Sequence, residues 1–105
     1  MQVSTIRRRD RIQIIAEIID SCLRPQAKTR VMYDVGLSYR QLQSYLYEML
    51  KLGLIETRYD KRIYITTEKG LRFLEKWIQI QQILTRRNQP SFVLLSSSNQ
   101  SLNEL

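Results

Sequence analysis

The chain has 105 residues, which suits one domain with one modest hydrophobic core. Its formal net charge of +7 favours nucleic acid, anionic lipid or acidic protein as a partner, while its 43% hydrophobic content is that of an ordinary globular protein. Histidine is absent and Cys22 is the single cysteine, so an intrachain disulfide, a zinc site of cysteines and histidines, and a histidine-activated nucleophile are excluded.

The sequence also lacks the patterns of membrane insertion and of catalysis. No stretch approaches the roughly 18–20 apolar residues of a membrane span, and the N-terminus MQVSTIRRRD has no apolar secretory region. A single cysteine fits a reducing compartment, so we expect a cytoplasmic protein without a membrane partner. The glycines are scattered and the carboxylates have no paired spacing. We therefore predict no enzyme, no cofactor, no metal and no small-molecule ligand.

The first predicted helix covers residues 5–23, where apolar side chains recur with helical spacing. Its apolar side consists of Ile12, Ile15, Ile19 and Leu23, with Ile18 and Cys22 beside them. Thr5 is a candidate N-cap; alternatively, the basic run from Arg7 to Arg9 forms an arm ahead of the helix. Pro25 ends the helix, because the residue before a proline is biased away from helical conformation.

A tight turn joins the second and third predicted helices, residues 27–35 and 38–52. Gly36 suits the end of the second helix, because glycine adopts the left-handed conformation without steric cost. Ser38 suits the start of the third, because its hydroxyl can accept a hydrogen bond from an unpaired backbone N–H of the first turn. Only Leu37 separates them, and this glycine-containing turn is typical of a helix-turn-helix.

The third helix has two different sides when it is rotated by about 100° per residue. The apolar side consists of Leu42, Tyr45, Leu46, Met49 and Leu50. The polar side consists of Arg40, Gln43, Ser44, Tyr47 and Lys51, with Ser38 and Tyr39 at the start of the helix. A solvated surface is the simple interpretation of such a side. Arginine and glutamine, however, can contact base edges through paired hydrogen bonds, and hydroxyls reach phosphates or bases. We therefore predict a recognition helix.

Two strands, residues 54–58 and 62–66, are predicted around a turn at YDK, and Thr67 is placed to cap a fourth helix over residues 68–88. In this helix, side chains with the 4, 3, 4 spacing of a coiled-coil seam are Phe73, Trp77, Ile80 and Leu84. A second stripe, able to pack on the chain's own core, consists of Leu71, Leu74 and Ile78. Because one amphipathic helix needs only one stripe, we predict a homodimer; the alternative is one broad buried face.

Basic side chains are predicted to hold the DNA backbone around the third helix. They are Lys28 and Arg30 in the second helix, Arg58, Lys61 and Arg62 around the hairpin tip, and Arg7, Arg8 and Arg9 near the N-terminus. Each group also has a simpler interpretation as ordinary solvated charge.

The order of elements resembles a winged helix-turn-helix: helix, helix, glycine-containing turn, helix, hairpin and long helix. The segments RRRDRIQIIAEII, KTRVMYDVGLSYRQLQSYLYEMLKLGLIE and YITTEKGLRFLEKW are similar to an archaeal winged-helix family that includes small basic chromatin proteins. The most specific parts are LSY at 37–39, GLI at 53–55 and TEKG at 67–70. The resemblance covers residues 7–85. It implies an α+β fold with a three-helix core and a β-hairpin wing, binding of double-stranded DNA, and a homodimer held by a long C-terminal helix.

This resemblance divides the chain into a DNA-binding domain (1–67), a dimerisation helix (68–89) and a tail (90–105) that is predicted to be flexible. The biological role stays open between a transcription regulator and an architectural nucleoid protein with little sequence preference. A protein-interaction module on the same fold is a third alternative. The mixture of arginine, glutamine, serine and tyrosine on the third helix slightly favours base contacts, and so regulation.

Overall fold

The computed structural model describes residues 9–85, which form four helices and three strands. In chain order these are α1 (Arg11–Ser21), β1 (Gln26–Ala27), α2 (Lys28–Val35), α3 (Tyr39–Leu52), β2 (Ile55–Arg58), β3 (Ile63–Thr66) and α4 (Glu68–Thr85). The strands form one antiparallel sheet in the order β1-β3-β2. The predicted α+β winged helix-turn-helix is thereby confirmed. Predictions about Thr5, Arg7, Arg8 and the tail fall outside the described residues.

The first helix does not run unbroken from residue 5 as predicted, because α1 begins at Arg11 and residues 9 and 10 before it are not helical. Asp10 is the N-cap: its backbone is extended, and its carboxylate accepts a hydrogen bond from the Gln13 backbone N–H at 2.8 Å. That bond satisfies one of the N–H groups that a helix start leaves unpaired. Arg9 therefore precedes the helix, while Arg7 and Arg8 of the predicted arm lie outside the described residues.

Strand β1 is the element that the sequence analysis missed. The sequence predicts that the second helix begins at Ala27, but the backbone of Ala27 is extended and α2 begins at Lys28. Gln26 pairs with Tyr64 and Ala27 with Ile63, so β1 lies against β3. Two residues are too few to show the alternation by which a strand is recognised in a sequence. The pairing attaches the start of α2 directly to the hairpin.

The core lies where α1, α2 and α3 meet the sheet and the first half of α4. Its fully buried large side chains are Ile18, Ile19, Leu42, Met49, Ile55, Val31 and Cys22. Burial raises the pKa of the Cys22 thiol to about 12, so this cysteine is a protonated core residue at neutral pH, as predicted. Thr66 joins β3 to α1, since its backbone N–H donates to the Cys22 carbonyl at 2.8 Å and its hydroxyl to the Ile19 carbonyl at 2.7 Å.

Helix α4 is held close to the turn that leads into the hairpin. The Thr67 hydroxyl accepts from the Gly70 backbone N–H at 3.0 Å and donates to the Gly53 carbonyl at 2.6 Å, which confirms Thr67 as a cap. Gly70 is buried, and a Cβ atom there would overlap the Leu54 carbonyl oxygen and lie 2.9 Å from Thr66 Cγ2. Only glycine permits this approach of α4 to the backbone.

Gly70→Ala is therefore expected to lower the free energy of unfolding by about 1–3 kcal/mol, the usual effect of overpacking. In a helix with open space at the glycine, the same change normally raises the free energy of unfolding by up to about 1 kcal/mol. The sign of the change therefore shows whether the site is crowded. Urea denaturation measures the difference, with Lys76→Ala on the exposed side of α4 as the control. A Gly70→Ala protein as stable as the wild type would contradict the close approach.

Candidate nucleic-acid interface

Helix α3 is buried on one side and exposed on the other, as the sequence predicts. Leu42, Leu46 and Met49 are buried. The opposite side exposes Tyr39, Arg40, Gln43, Ser44, Tyr47 and Lys51, which we call the polar face of α3. The structure thus brings together the side chains that the sequence predicts to contact DNA. Leu50, predicted on the apolar side, lies at its margin and is 37% exposed.

The turn before α3 fixes where this helix begins. Gly36 has φ 73°, in the left-handed region where glycine is unstrained, and its N–H donates to the Met32 carbonyl at 2.9 Å. Ser38 is the N-cap, as predicted. Its hydroxyl accepts from the Gln41 backbone N–H at 3.1 Å, and the Gln41 side-chain oxygen accepts from the Ser38 N–H at 3.0 Å. This reciprocal capping box ties Ser38, one of the predicted DNA contacts, to the helix itself.

Lys28 lies against the polar face of α3. Its Nζ donates to the Gln43 Oε1 at 2.6 Å and to the Tyr39 hydroxyl at 3.3 Å. The same ammonium lies 4.9 Å from the centroid of the Tyr39 ring, within range of a cation–π interaction. Lys28 was predicted from the sequence only as a phosphate contact. It precedes its two partners by 11 and 15 residues, so the three side chains come together only when the chain folds, and no local sequence pattern indicates the cluster.

The far end of the same face carries a second pairing of lysine with tyrosine. Lys51 Nζ lies 5.2 Å from the centroid of the Tyr47 ring. Glu48, the acid nearest to this face, is hydrogen bonded to Arg11 of α1, whose pKa is raised chiefly by that hydrogen bond and also by the charge of Glu48. The negative charge of Glu48 is therefore paired with Arg11, and the polar face keeps the positive charges of Arg40 and Lys51.

Three of the other predicted backbone contacts have acidic partners in the protein. Arg9 pairs with Glu17 and donates to the Val35 carbonyl at 2.8 Å, so it joins α1 to the end of α2. The two remaining pairs are Arg30 with Asp34 at 3.1 Å and Arg58 with Glu56 at 2.8 Å, and in both the arginine side chain is more than half exposed. Exposed pairs of this kind contribute roughly 0–1 kcal/mol, so phosphate can compete for both arginines.

The hairpin ends in a left-handed turn that contains no glycine. Tyr59, Asp60 and Lys61 have φ angles of 53°, 56° and 67°, and the Arg62 N–H donates to the Arg58 carbonyl at 3.2 Å. Positive φ is uncommon outside glycine and is most unusual for a bulky residue such as tyrosine. The turn exposes Lys61 and Arg62, as predicted. It also exposes 73% of Tyr59, which the sequence analysis did not select because nothing in the local pattern marks it.

The apolar side chains of α4 divide between the core and the solvent. Leu74 is buried, and Phe73 and Trp77 of the predicted seam are half-buried against the chain's own core. Leu71 and Ile78, predicted to pack on that core, are each 41% exposed, so this part of the prediction is wrong. The reason is the rotation of α4, which turns Phe73 and Trp77 towards the core. The most exposed aliphatic side chains are Ile80, Ile83 and Leu84.

Residues 9–85 contain no group of three or more cysteine, aspartate and glutamate side chains placed to hold a metal ion. None of the helices described is long and apolar enough to cross a membrane.

A helix-turn-helix with an exposed polar face, followed by a basic hairpin, defines a winged helix-turn-helix protein. A family model described as winged helix-turn-helix matches residues 8–85, and the chain belongs to that family. The crystal structure of Sso10a-2, described as a DNA-binding protein from Sulfolobus solfataricus, is similar, with a TM-score of 0.62 and 33% identity. The match covers 83% of this chain and 97% of that one. The comparison with curated proteins found no match.

The capping box leads to a prediction about the contribution of Ser38 to stability. Ser38→Ala is expected to lower the free energy of unfolding by about 0.5–2 kcal/mol, because the Gln41 N–H loses its acceptor. Ser38→Asp is expected to stay close to the wild type, since aspartate is an equally good N-cap and its charge suits a helix N-terminus. Thermal and urea denaturation measure both; equal losses in the two variants would contradict the role of the cap.

Proposed function

We propose that this chain binds double-stranded DNA by placing α3 in the major groove. The observation that carries the proposal is the division of α3 into a buried apolar side and an exposed face of arginine, glutamine, serine, tyrosine and lysine. The major groove is about 12 Å wide and admits an α-helix with its side chains. Membership of the winged helix-turn-helix family supports the proposal, as does the similarity to Sso10a-2, itself described as a DNA-binding protein.

The charges around α3 support the same placement. Arg40 in the first turn and Lys51 in the last put a cation near each end of a 14-residue helix, about 21 Å long. Strand β2 follows α3 after two residues, so the hairpin lies beside the recognition helix. We propose that Lys61 and Arg62 at its tip hold phosphates of the DNA backbone, a contact that positions a protein without reading sequence.

We further propose that the biological role is regulation of transcription. The polar face of α3 presents side chains that discriminate among base edges, and such discrimination is what a regulator requires. The second candidate is an architectural nucleoid protein, which the net charge of +7 would serve equally well. A protein-interaction role is less well supported, because no aliphatic side chain lies on the polar face. The proposal includes no catalytic activity and no cofactor, and it places the protein in the cytoplasm at the nucleoid.

Selection of bound sites from random duplex DNA at about 0.15 M salt distinguishes the two DNA-binding roles. Salt must be fixed because the phosphate contribution depends steeply on it. A defined motif is the result expected for a regulator. Tight binding without a motif would favour the architectural role, and failure to bind duplex DNA would contradict the proposal as a whole.

Arg40→Ala is expected to relax base preference at one position of each half-site, by about 1–3 kcal/mol for a lost bidentate contact. Gln43→Ala should act in the same way at a neighbouring position. Lys61→Ala and Arg62→Ala are expected to weaken binding to all sequences alike, because a phosphate contact carries no base information. Binding measured on the selected site and on its single-base variants gives both results. Identical behaviour of the helix and hairpin variants would contradict base contacts by α3.

We also propose that the protein acts as a homodimer through α4. Ile80, Ile83 and Leu84 are 52%, 74% and 65% exposed and lie close together on the last turns of the helix. Covering them with a second copy would remove this apolar surface from water, which stabilises by roughly 25 cal/mol per Å². A two-fold dimer is the commonest arrangement, and it would present two recognition helices to two half-sites.

Ile80→Glu with Leu84→Glu is expected to give a monomer that binds DNA far more weakly and keeps its fold, because neither side chain belongs to the core. Gln79→Glu with Gln82→Glu is the matched control: it adds the same charge at exposed polar positions of the same helix and should stay dimeric. Light scattering at tens of micromolar reports the oligomeric state. A monomeric wild type would contradict the dimer.

A further inference from the structure

The contact between Lys28 and Gln43 determines which way the Gln43 side chain presents its amide. Lysine Nζ has hydrogen-bond donors only, so the amide atom that it meets at 2.6 Å must be the oxygen, Oε1. The amide nitrogen, Nε2, is then the end of the side chain that remains for another partner. In the free protein Gln43 therefore offers its two N–H donors while its oxygen is bound to a cation.

Lys28 is held in this position by more than one contact. Its Nζ also donates to the Tyr39 hydroxyl at 3.3 Å and lies 4.9 Å from the centroid of the Tyr39 ring. The backbone is fixed as well, because Ala27 pairs with Ile63 of β3 immediately before it. Lys28 is the first residue of α2, where a cation is unfavourable for the helix dipole. A lysine at this position therefore does not stabilise α2, and the contacts that it makes are with α3.

This arrangement favours one base over another, because base edges differ in their hydrogen-bond donors and acceptors. A glutamine that reads adenine needs both of its ends, with Oε1 accepting from the adenine N6 amino group and Nε2 donating to N7. Lys28 occupies one lone pair of Oε1, and its positive charge repels the adenine amino group that would approach the other, so that pairing is weakened. Guanine presents two acceptors, O6 and N7, and Nε2 can donate to either of them. Tyr39 contributes in the same sense, because its oxygen accepts from Lys28 and its hydroxyl hydrogen remains to donate.

We propose that Lys28 is a positioning residue that orients Gln43 as a donor, so that Gln43 selects guanine over adenine in the DNA target. This inference rests on the proposed function, since it assumes that α3 enters the major groove. It departs from the sequence prediction, in which Lys28 binds phosphate and glutamine reads a base with both ends of its amide.

The test compares sites selected from random duplex DNA by the wild type, Gln43→Ala and Lys28→Met. Gln43→Ala identifies the base position that Gln43 contacts, and guanine is expected there in the wild type. Lys28→Met removes the donor and keeps an apolar side chain of similar reach, so Oε1 is released and the preference at that one position should move towards adenine by about tenfold or more. Lys28→Arg, which retains a donor for Oε1, should keep guanine and shows that the change is not one of folding.

Salt dependence separates positioning from phosphate binding. Lys61→Met on the hairpin is the matched control, with the same loss of charge. It should lower the slope of log affinity against log salt by about 0.9, the value for one phosphate contact, whereas Lys28→Met should leave the slope close to that of the wild type. Uniform weakening by Lys28→Met with a loss of about 0.9 in slope, or adenine at the Gln43 position of the wild type, would overturn the inference. Binding without any motif would overturn it too but leave DNA binding intact, whereas no binding by the wild type would overturn the proposed function itself.

Discussion

Burial of Leu42, Leu46 and Met49 leaves α3 no freedom to rotate about its own axis. Each of these side chains gains roughly 1.5–3 kcal/mol from leaving water, so any rotation that exposed them would cost much of the stability of a small domain. The capping box at Ser38 fixes where the helix starts, and the left-handed Gly53 fixes where it ends. The polar face is consequently presented by a rigid helix, with the precision that recognition of base edges requires.

The small sheet extends that constraint to the parts around α3. Strand β3 is the central strand: it pairs with β2 to form the hairpin and with β1 to hold the start of α2. One strand therefore sets the positions of both the hairpin tip and Lys28 relative to α3. At its end, Thr66 bonds to α1, and Gly70 brings α4 against the same region. The residues proposed to face DNA and the helix proposed for dimerisation are attached to one core.

The elements with strong local signals could be predicted from the sequence. Gly36 and Ser38 predict the turn, because glycine favours a helix end and serine favours a helix start. The 3.6-residue period of α3 separates its two sides correctly. The errors arise where tertiary contacts decide. Strand β1 exists only through its pairing with β3, and the stripe on α4 that covers the core depends on how that helix crosses α1.

The candidate site shows the same division between local and tertiary information. Which residues of α3 are exposed follows from periodicity alone. That Lys28 binds the Gln43 oxygen, and that Arg9 is paired with Glu17, depends on residues distant in sequence being brought together. The unusual φ angles at the hairpin tip could not be predicted from the sequence either, because Tyr59 and Lys61 are not residues that favour positive φ.

Mapping of backbone amide chemical shifts during titration with duplex DNA tests most directly whether α3 is the DNA-binding surface. We predict that the largest changes in amide chemical shift fall on the exposed positions of α3, including Arg40, Gln43 and Tyr47, and on the hairpin tip around Lys61. Amides of the first half of α4, which packs on the core, should change little. Changes confined to α4, with those of α3 unaffected, would contradict the account.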